Sequence, residues 1–380
     1  MARTRWTNRL LDAMRQVGDP PADAVVQELF DEDEIDAVNQ LMRTLVRNDG
    51  VPKAKLPLIV RSYLESTDDL PRWADPERIA IGEKFFGEHG PAIVMAFACA
   101  SLPKCYAFAK GVQVLHLTAR LQTDPVRRIG ETAQLILNVM EPGGLGPGGR
   151  GIRDAQKVRL MHAAVRHLCS RSRHWDTSWD TPLNQEDLAG TLCTFSIVPL
   201  EALEQLGVNI TDDEADAYLH VWNVVGHVLG IDRRLLAQDV DHATSLWAAI
   251  TRRQWARSTE GREMTRALVE AMEHRTPGTI FDGFPAQMVR FLCGDELADM
   301  LGVNSRSWTS LLTGPLRLFA SRSDAVADHV PIAGRISAHF AQQLLEGLSW
   351  VARGGERAPF RIPQELAERW DVRTPGSDMG

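Results

Sequence analysis

Residues 153–169 read RDAQKVRLMHAAVRHLC. Val158, Met161, Val165, Leu168 and Cys169 return at intervals of three and four with His162 among them, the period of an amphipathic helix and not the alternation of a strand. The same period runs through nearly every long segment between proline and glycine breaks. It predicts helices over 22–46, 76–88, 91–120, 125–140, 154–171, 184–206, 212–229, 240–272, 285–300 and 335–352, so the fold class is all-α. No segment repeats at a fixed period, which argues against a helical solenoid. Local chemistry marks some ends: Asp124 is a cap, Pro125 suits a first helical position, and Pro142–Gly143 stops the helix between them.

A chain of 380 residues, 44% hydrophobic and 24% charged, buries a core without disulfides or a metal. The net charge of -8 argues against nucleic acid as a partner. Five cysteines, Cys99, Cys105, Cys169, Cys193 and Cys293, are scattered through apolar pattern; they form no CxxC pair for zinc and no CxxCH for covalent haem. The start carries no signal-peptide run. The most apolar stretch, PAIVMAFACASLP at 91–103, falls short of the roughly 20 residues of a membrane span, so a cytoplasmic protein is expected. The expected organisation is an N-terminal helical extension over 1–48, one helical domain over 49–370 and a flexible tail over 371–380.

His162 stands in the middle of an apolar helix face, with Arg159 three residues before it and Arg166 four after it on the same side, where they can pair with carboxylates. Two readings are open: a ligand to a metal or cofactor, or a core histidine bonded to a carbonyl. On the preceding helix Arg128, Glu131 and Thr132 share a face beside the stripe Val126, Ile129, Ala133 and Ile136; the pattern alone favours an ordinary surface pair with a threonine bonding back to its own helix. In EADAYLHVWNVVGHVLG, 214–230, Asp216, His220, Asn223 and His227 form a polar stripe beside Ala215, Leu219, Trp222, Val225, Gly226 and Leu229. Without an E-x-x-H pair this is not a di-iron pattern, and the histidines read as polar lining or surface. Gly226 admits close approach of a flat cofactor or of another helix. The loop EPGGLGPGGRG at 141–151 holds a literal G-x-G-x-x-G, but a helix precedes it where the dinucleotide motif needs a strand. Hydrolase, zinc-protease and P-loop motifs are lacking.

The order of these motifs resembles the latex-clearing-protein (rubber oxygenase) and MpaB family. The carriers are LPLIVRSYLESTDDLPRW (56–73), SLPKCYA (101–107), RRIGET (127–132), PGGLGPGG (142–149), KVRLMHAAVR (157–166), WNVVGHVLGI (222–231) and FRIPQELAERW (360–370), together about residues 50–370. The resemblance implies a large helical bundle enclosing a non-covalent haem b, with His162 as the axial ligand of the iron and its free ring N–H donated to a carbonyl or carboxylate. It implies that Arg159 or Arg166 anchors the propionates, and that Thr194, Gly226 and His227 lie at the cofactor. Latex-clearing members carry an R-x-x-K-T motif; Arg128 and Thr132 match it, but Glu131 replaces the lysine. The implied activity is that of an oxygenase using dioxygen to cleave or oxidise a carbon–carbon double bond of an apolar isoprenoid or polyprenyl substrate. Its rivals are a haem-binding sensor or lipid-binding protein without turnover, and a helical protein with no cofactor.

Overall fold

Residues 6–31, 56–121, 125–146, 149–275 and 283–304 are described by a computed structural model. Along the chain the helices are α1 (Asn8–Arg15), α2 (Pro20–Asp31), α3 (Leu58–Ser66) and α4 (Pro76–Ala96). A π-helical turn, Phe97–Ser101, joins α4 to α5 (Leu102–Tyr106). Then come α6 (Val112–Leu121), α7 (Pro125–Met140), α8 (Arg150–Arg171), α9 (Gln185–Gln205) and α10 (Asp212–Val228). The described residues end with α11 (Val240–Gln254), α12 (Thr259–Arg275), α13 (Phe284–Cys293) and α14 (Asp295–Met300). No strand occurs among them, only the isolated bridge Phe108–Trp255, so the all-α expectation holds. The expected helix over 335–352, the second half of the one over 22–46, the motif at 360–370 and the tail lie outside the described residues.

The central run departs from the sequence reading. A break near residue 90 was expected, yet α4 opens on Asp75, whose carboxylate accepts from the N–H groups of Glu77 and Arg78, and passes straight through Pro91. Pro91 removes one helical hydrogen bond, but Phe85, Phe86, Ile93 and Met95 are all buried in the main core, and each such side chain contributes on the order of 2 kcal/mol. The helix also lies tight on α10: a Cβ at Gly82 would sit 2.9 Å from the Ala217 carbonyl oxygen. Pro76–Tyr106 is thereby one helical run of 31 residues, long and apolar enough to cross a membrane by length and composition, with 61% of its apolar window buried inside the fold. That corrects the sequence reading, in which no stretch reached spanning length.

The breaks that do occur pair with each other. Helices expected to be continuous over 91–120 and 240–272 are both interrupted, at 107–111 and at 255–258. Ala109 N–H donates to the Gln254 carbonyl and Ala256 N–H to the Ala107 carbonyl, so two chain reversals satisfy one another's backbone.

Two apolar clusters flank α8. Ile152 and Ala155 belong to the main core, whereas Leu160, Ala163 and Ala164 pack into a smaller cluster with Val25 and Leu29 of α2 and Val60 and Leu64 of α3. The sequence stripe is therefore not the buried seam. Val158, Met161, His162 and Val165 are half-buried and Leu168 is 51% exposed; only Cys169 of that set is buried. Small alanines let α2 approach closely, and the arginines of α8 find carboxylates there, so the tightest packing forms on a face that looks less apolar in sequence.

The glycine-rich loop is a turn and not a nucleotide cradle. Gly143, at φ +76°, donates its N–H to both carboxylate oxygens of buried Glu83 at 3.2 Å. Burial raises the Glu83 pKa, with the Gly143 N–H opposing. Glu83→Gln keeps an acceptor for Gly143 and removes the buried charge, so its stability is expected to stay within about 1 kcal/mol of wild type; Glu83→Ala orphans that N–H and is expected to lose about 1–3 kcal/mol in urea denaturation.

Candidate functional site

The hairpin of α7 and α8 sets the geometry. The Asn138 amide donates to the Asp154 carboxylate at 2.5 Å, and a Cβ on Gly151 would lie 2.8 Å from both the Asn138 carbonyl oxygen and Val139 Cα. Counting back along two antiparallel helices from these contacts brings the turn 128–132 level with His162. Arg128 and Glu131 lie on this turn, and their side chains are outside the described residues. Thr132 is exposed, and at Gly130 a Cβ would meet open space. From Ala133 onward the helix enters the core, with Ile136, Leu137, Val139 and Met140 buried. His162 is half-buried, with its Nδ1 shielded from solvent.

Arg159 and Arg166 have carboxylate partners within the chain. Arg159 holds Asp19 with Nε and Nη2 at 2.5 and 2.8 Å, donates from Nη1 to the Val228 carbonyl, and lies 5.8 Å above the ring of Tyr63. Arg166, only 4% exposed, bonds Asp23 through Nε and the Leu183 carbonyl through Nη1, both at 2.8 Å. Enclosed arginines need local charge compensation, and the start of α2 supplies it to both. Asp19 and Asp23 were not found from sequence because the partners lie 140 and 143 residues apart. The one local signal was Asp-Pro-Pro at 19–21, a helix-start pattern.

The remaining residues fall elsewhere. Thr194 is buried on α9, donating to the Thr191 carbonyl at 2.7 Å and lying 3.3 Å from Cys105 Sγ. At Gly226 a Cβ would come within 2.7 Å of Leu192 and 3.1 Å of Leu236, so the glycine lets these side chains approach α10 closely. Of the polar stripe on α10, Asp216 accepts from Val240 N–H, Asn223 donates to the Ala237 carbonyl, and His220 Nε2 accepts from Asp75 N–H at 2.9 Å. Burial, then Arg78, lowers the His220 pKa, which keeps the ring neutral for that acceptor role. Trp73 meets the edges of both His220 and His227, at 5.8 and 5.9 Å. Exposed His227 lines an open depression of about 450 Å³ with Arg159, Asp19, Gly230 and Arg233. Partial desolvation where its ring rests against the fold, then Arg159 and Arg233, lowers its pKa as well. The fold thus joins His162, Arg159 and Arg166 on one helix and sets His227 beside Arg159, while Thr194 and Gly226 lie at buried positions on α9 and α10.

This arrangement, a half-buried imidazole level with the 128–132 turn, lies inside a larger match. Residues 91–324 fit the family model described as the catalytic domain of ER-bound oxygenase mpaB/B'/rubber oxygenase. The chain belongs to this family. Among members of the MpaB/rubber-oxygenase family, it is 28% identical over 290 residues to the rubber oxygenase of Streptomyces sp. (strain K30), covering 76% of this chain and 71% of that protein. It is also similar to the solved structure of latex clearing protein in the closed state, with a TM-score of 0.73 at 25% identity over 92% of this chain and 94% of that one. The fold and the oxygenase kinship expected from the sequence motifs are both met.

Proposed function

We propose that this chain is a haem b-dependent oxygenase that uses dioxygen to cleave or oxidise a carbon–carbon double bond of an apolar, isoprenoid-like substrate, with His162 as the protein ligand of the iron. The observation that carries the reading is His162 itself: a half-buried imidazole between Val158 and Val165, at the level of the 128–132 turn, in a chain of the rubber-oxygenase family. The residues suit the group. Around the imidazole the helix offers aliphatic side chains that are half-buried, and across from it Gly130 leaves open space. Haem bound there would supply the activation of dioxygen that no side chain can provide.

The chain's own residues do the rest. His162 would hold the iron through a ring nitrogen, and its Nδ1 is shielded from solvent. Arg128, Glu131 and Thr132 form the polar part of an otherwise greasy site. Glu131, standing where latex-clearing members have lysine, takes or positions a proton, and Arg128 balances its charge.

The test is dioxygen consumption by the haem-reconstituted chain with polyisoprene oligomers or a terpenoid alkene, with carbonyl products followed by mass spectrometry. Uptake coupled to product is expected, and Glu131→Gln is expected to lower kcat about 10²-fold with little change in KM. A His162-ligated haem that consumes no dioxygen with any such alkene would favour the second reading, a haem-binding protein without turnover, which the Glu131 replacement specifically keeps in play.

A further inference from the structure

We infer that the N-terminal segment 15–23 is a strap that positions the His162 helix, and that Asp19 and Asp23 are positioning residues for the site. The inference rests on the reading of His162 as the functional imidazole. Both aspartates lie outside residues 91–324, the stretch that matches the family's catalytic domain, yet they provide the carboxylates for the two arginines that flank His162 at i−3 and i+4.

The strap is built in from several sides. Arg15 N-terminally, and Gly18 and Val17 between, tie it to the α8–α9 loop and the start of α9: Thr181 N–H donates to the Arg15 carbonyl, Gln185 N–H to the Val17 carbonyl, and the Gln185 side chain to the carbonyls of Gly18 and Gly230. Asp19 is buried and grips Arg159 through two parallel hydrogen bonds, the geometry that fixes a guanidinium in both position and plane. Asp23 receives Asp19 N–H at 3.0 Å and Arg166 Nε at 2.8 Å, so the two ion pairs are coupled through one turn of backbone.

Two glycines leave the space these pairs occupy. At Gly18 a Cβ would stand 2.7 Å from Arg166 Nε and 2.7 Å from Asp23 Oδ2. At Gly230, φ +82°, it would overlap Asp19 Oδ2 and Arg159 Nε. Gly230 also closes α10 in the left-handed conformation that favours glycine, whereas Gly18 has no positive φ to account for it and is shaped by the Arg166–Asp23 pair. A helix gripped by a charge pair just before and just after His162 has little freedom to rotate or slide, which is what a ligand imidazole requires of its support.

The experiment compares the full chain with its Asp19→Asn, Asp23→Asn and Asp19→Glu variants, and with Asp299→Asn as a control at the remote, exposed pair with Arg290. In the haem-free chain, the rate at which diethyl pyrocarbonate modifies His162 is followed by peptide mass spectrometry, with exposed His174 as an internal reference. Asp19→Asn and Asp23→Asn are expected to change the His162 rate several-fold and leave His174 alone, Asp19→Glu to restore most of the wild-type rate, and Asp299→Asn to do nothing. In the haem-loaded chain the two Asn variants are expected to lose haem to apomyoglobin about tenfold faster, with an altered ferric absorption spectrum. A lowered melting temperature with His162 reactivity and spectrum unchanged would overturn the proposal, leaving the aspartates as plain structural partners. Because the modification rates come from the haem-free chain, a protein that takes up no haem would defeat the haem reading while those rates still decide the strap.

Discussion

Arg15→Ala is expected to destabilise the protein by about 3–5 kcal/mol, the cost of stripping the cation from a buried charge cluster. Arg15 is 3% exposed and makes hydrogen bonds to Asp180 at 2.5 Å, Asp187 at 2.9 Å, Glu186 at 3.2 Å and the Trp179 carbonyl at 3.1 Å. Glu186 is fully buried, shared between Arg15 and Arg253 and further bonded by Gln254. Burial works against the Arg15 charge, but Asp187, Asp180 and Glu186 outweigh it and raise its pKa, so the guanidinium stays charged at any pH at which the protein is folded. Removing it leaves carboxylates with fewer cations than their burial requires, and Arg253 covers only the Glu186 side. Arg15→Lys retains the charge without the fork and is expected to lose part of that stability. Urea denaturation of both variants measures the difference; a loss below about 1 kcal/mol for Arg15→Ala would mean that the cluster is solvated in solution.

The same cluster sets an acid limit. Burial opposes ionisation of Asp180, but hydrogen bonds from Arg15 and Lys110 prevail and hold its pKa below the ordinary 3.8. A carboxylate depressed on folding stabilises the fold fully above its unfolded pKa and loses that contribution as pH falls through the folded one. The contribution of Asp180 to the attachment of α1 is therefore expected to persist at pH 4 and to fade in more acidic solution, whereas Asp187, whose pKa burial raises, gives no such protection.

Much of the fold was legible because caps and periodicity agree. The expected helix 125–140 is α7 to the residue, and 184–206 and 212–229 differ from α9 and α10 by single residues at their ends. Asn184 accepts from Asp187 N–H at the start of α9, and Thr211 with Glu214 forms a capping box at the start of α10, both local signals. What failed was non-local. Pro91 reads as a breaker until the burial of its neighbours is known, and nothing near Trp255 announces that Phe108 will pair with it across the fold. Two short helices, α1 and α3, were missed because neither carries a long enough apolar period on its own.

The site divides along the same line. Periodicity put His162, Arg159 and Arg166 on one face of one helix, and the structure keeps them there. The partners of the arginines arrive from a segment about 140 residues earlier, and no local pattern in α8 names them. Gly226 was ambiguous for a related reason: a helix glycine reports close approach but not what approaches, and here it is Leu192.

On the proposed reading His162→Ala has the largest effect on chemistry, because a haem iron deprived of its protein ligand would be neither anchored nor tuned. The variant leaves Arg159 and Arg166 paired with Asp19 and Asp23, so the fold is expected to persist with wild-type helix content. The most direct measurement is the absorption spectrum of haem titrated into the full chain beside His162→Ala, in the ferric and ferrous states. The account predicts a saturable, histidine-ligated spectrum in the wild type that disappears in the variant and returns in part when imidazole is added. A variant that binds haem with the wild-type spectrum would contradict it.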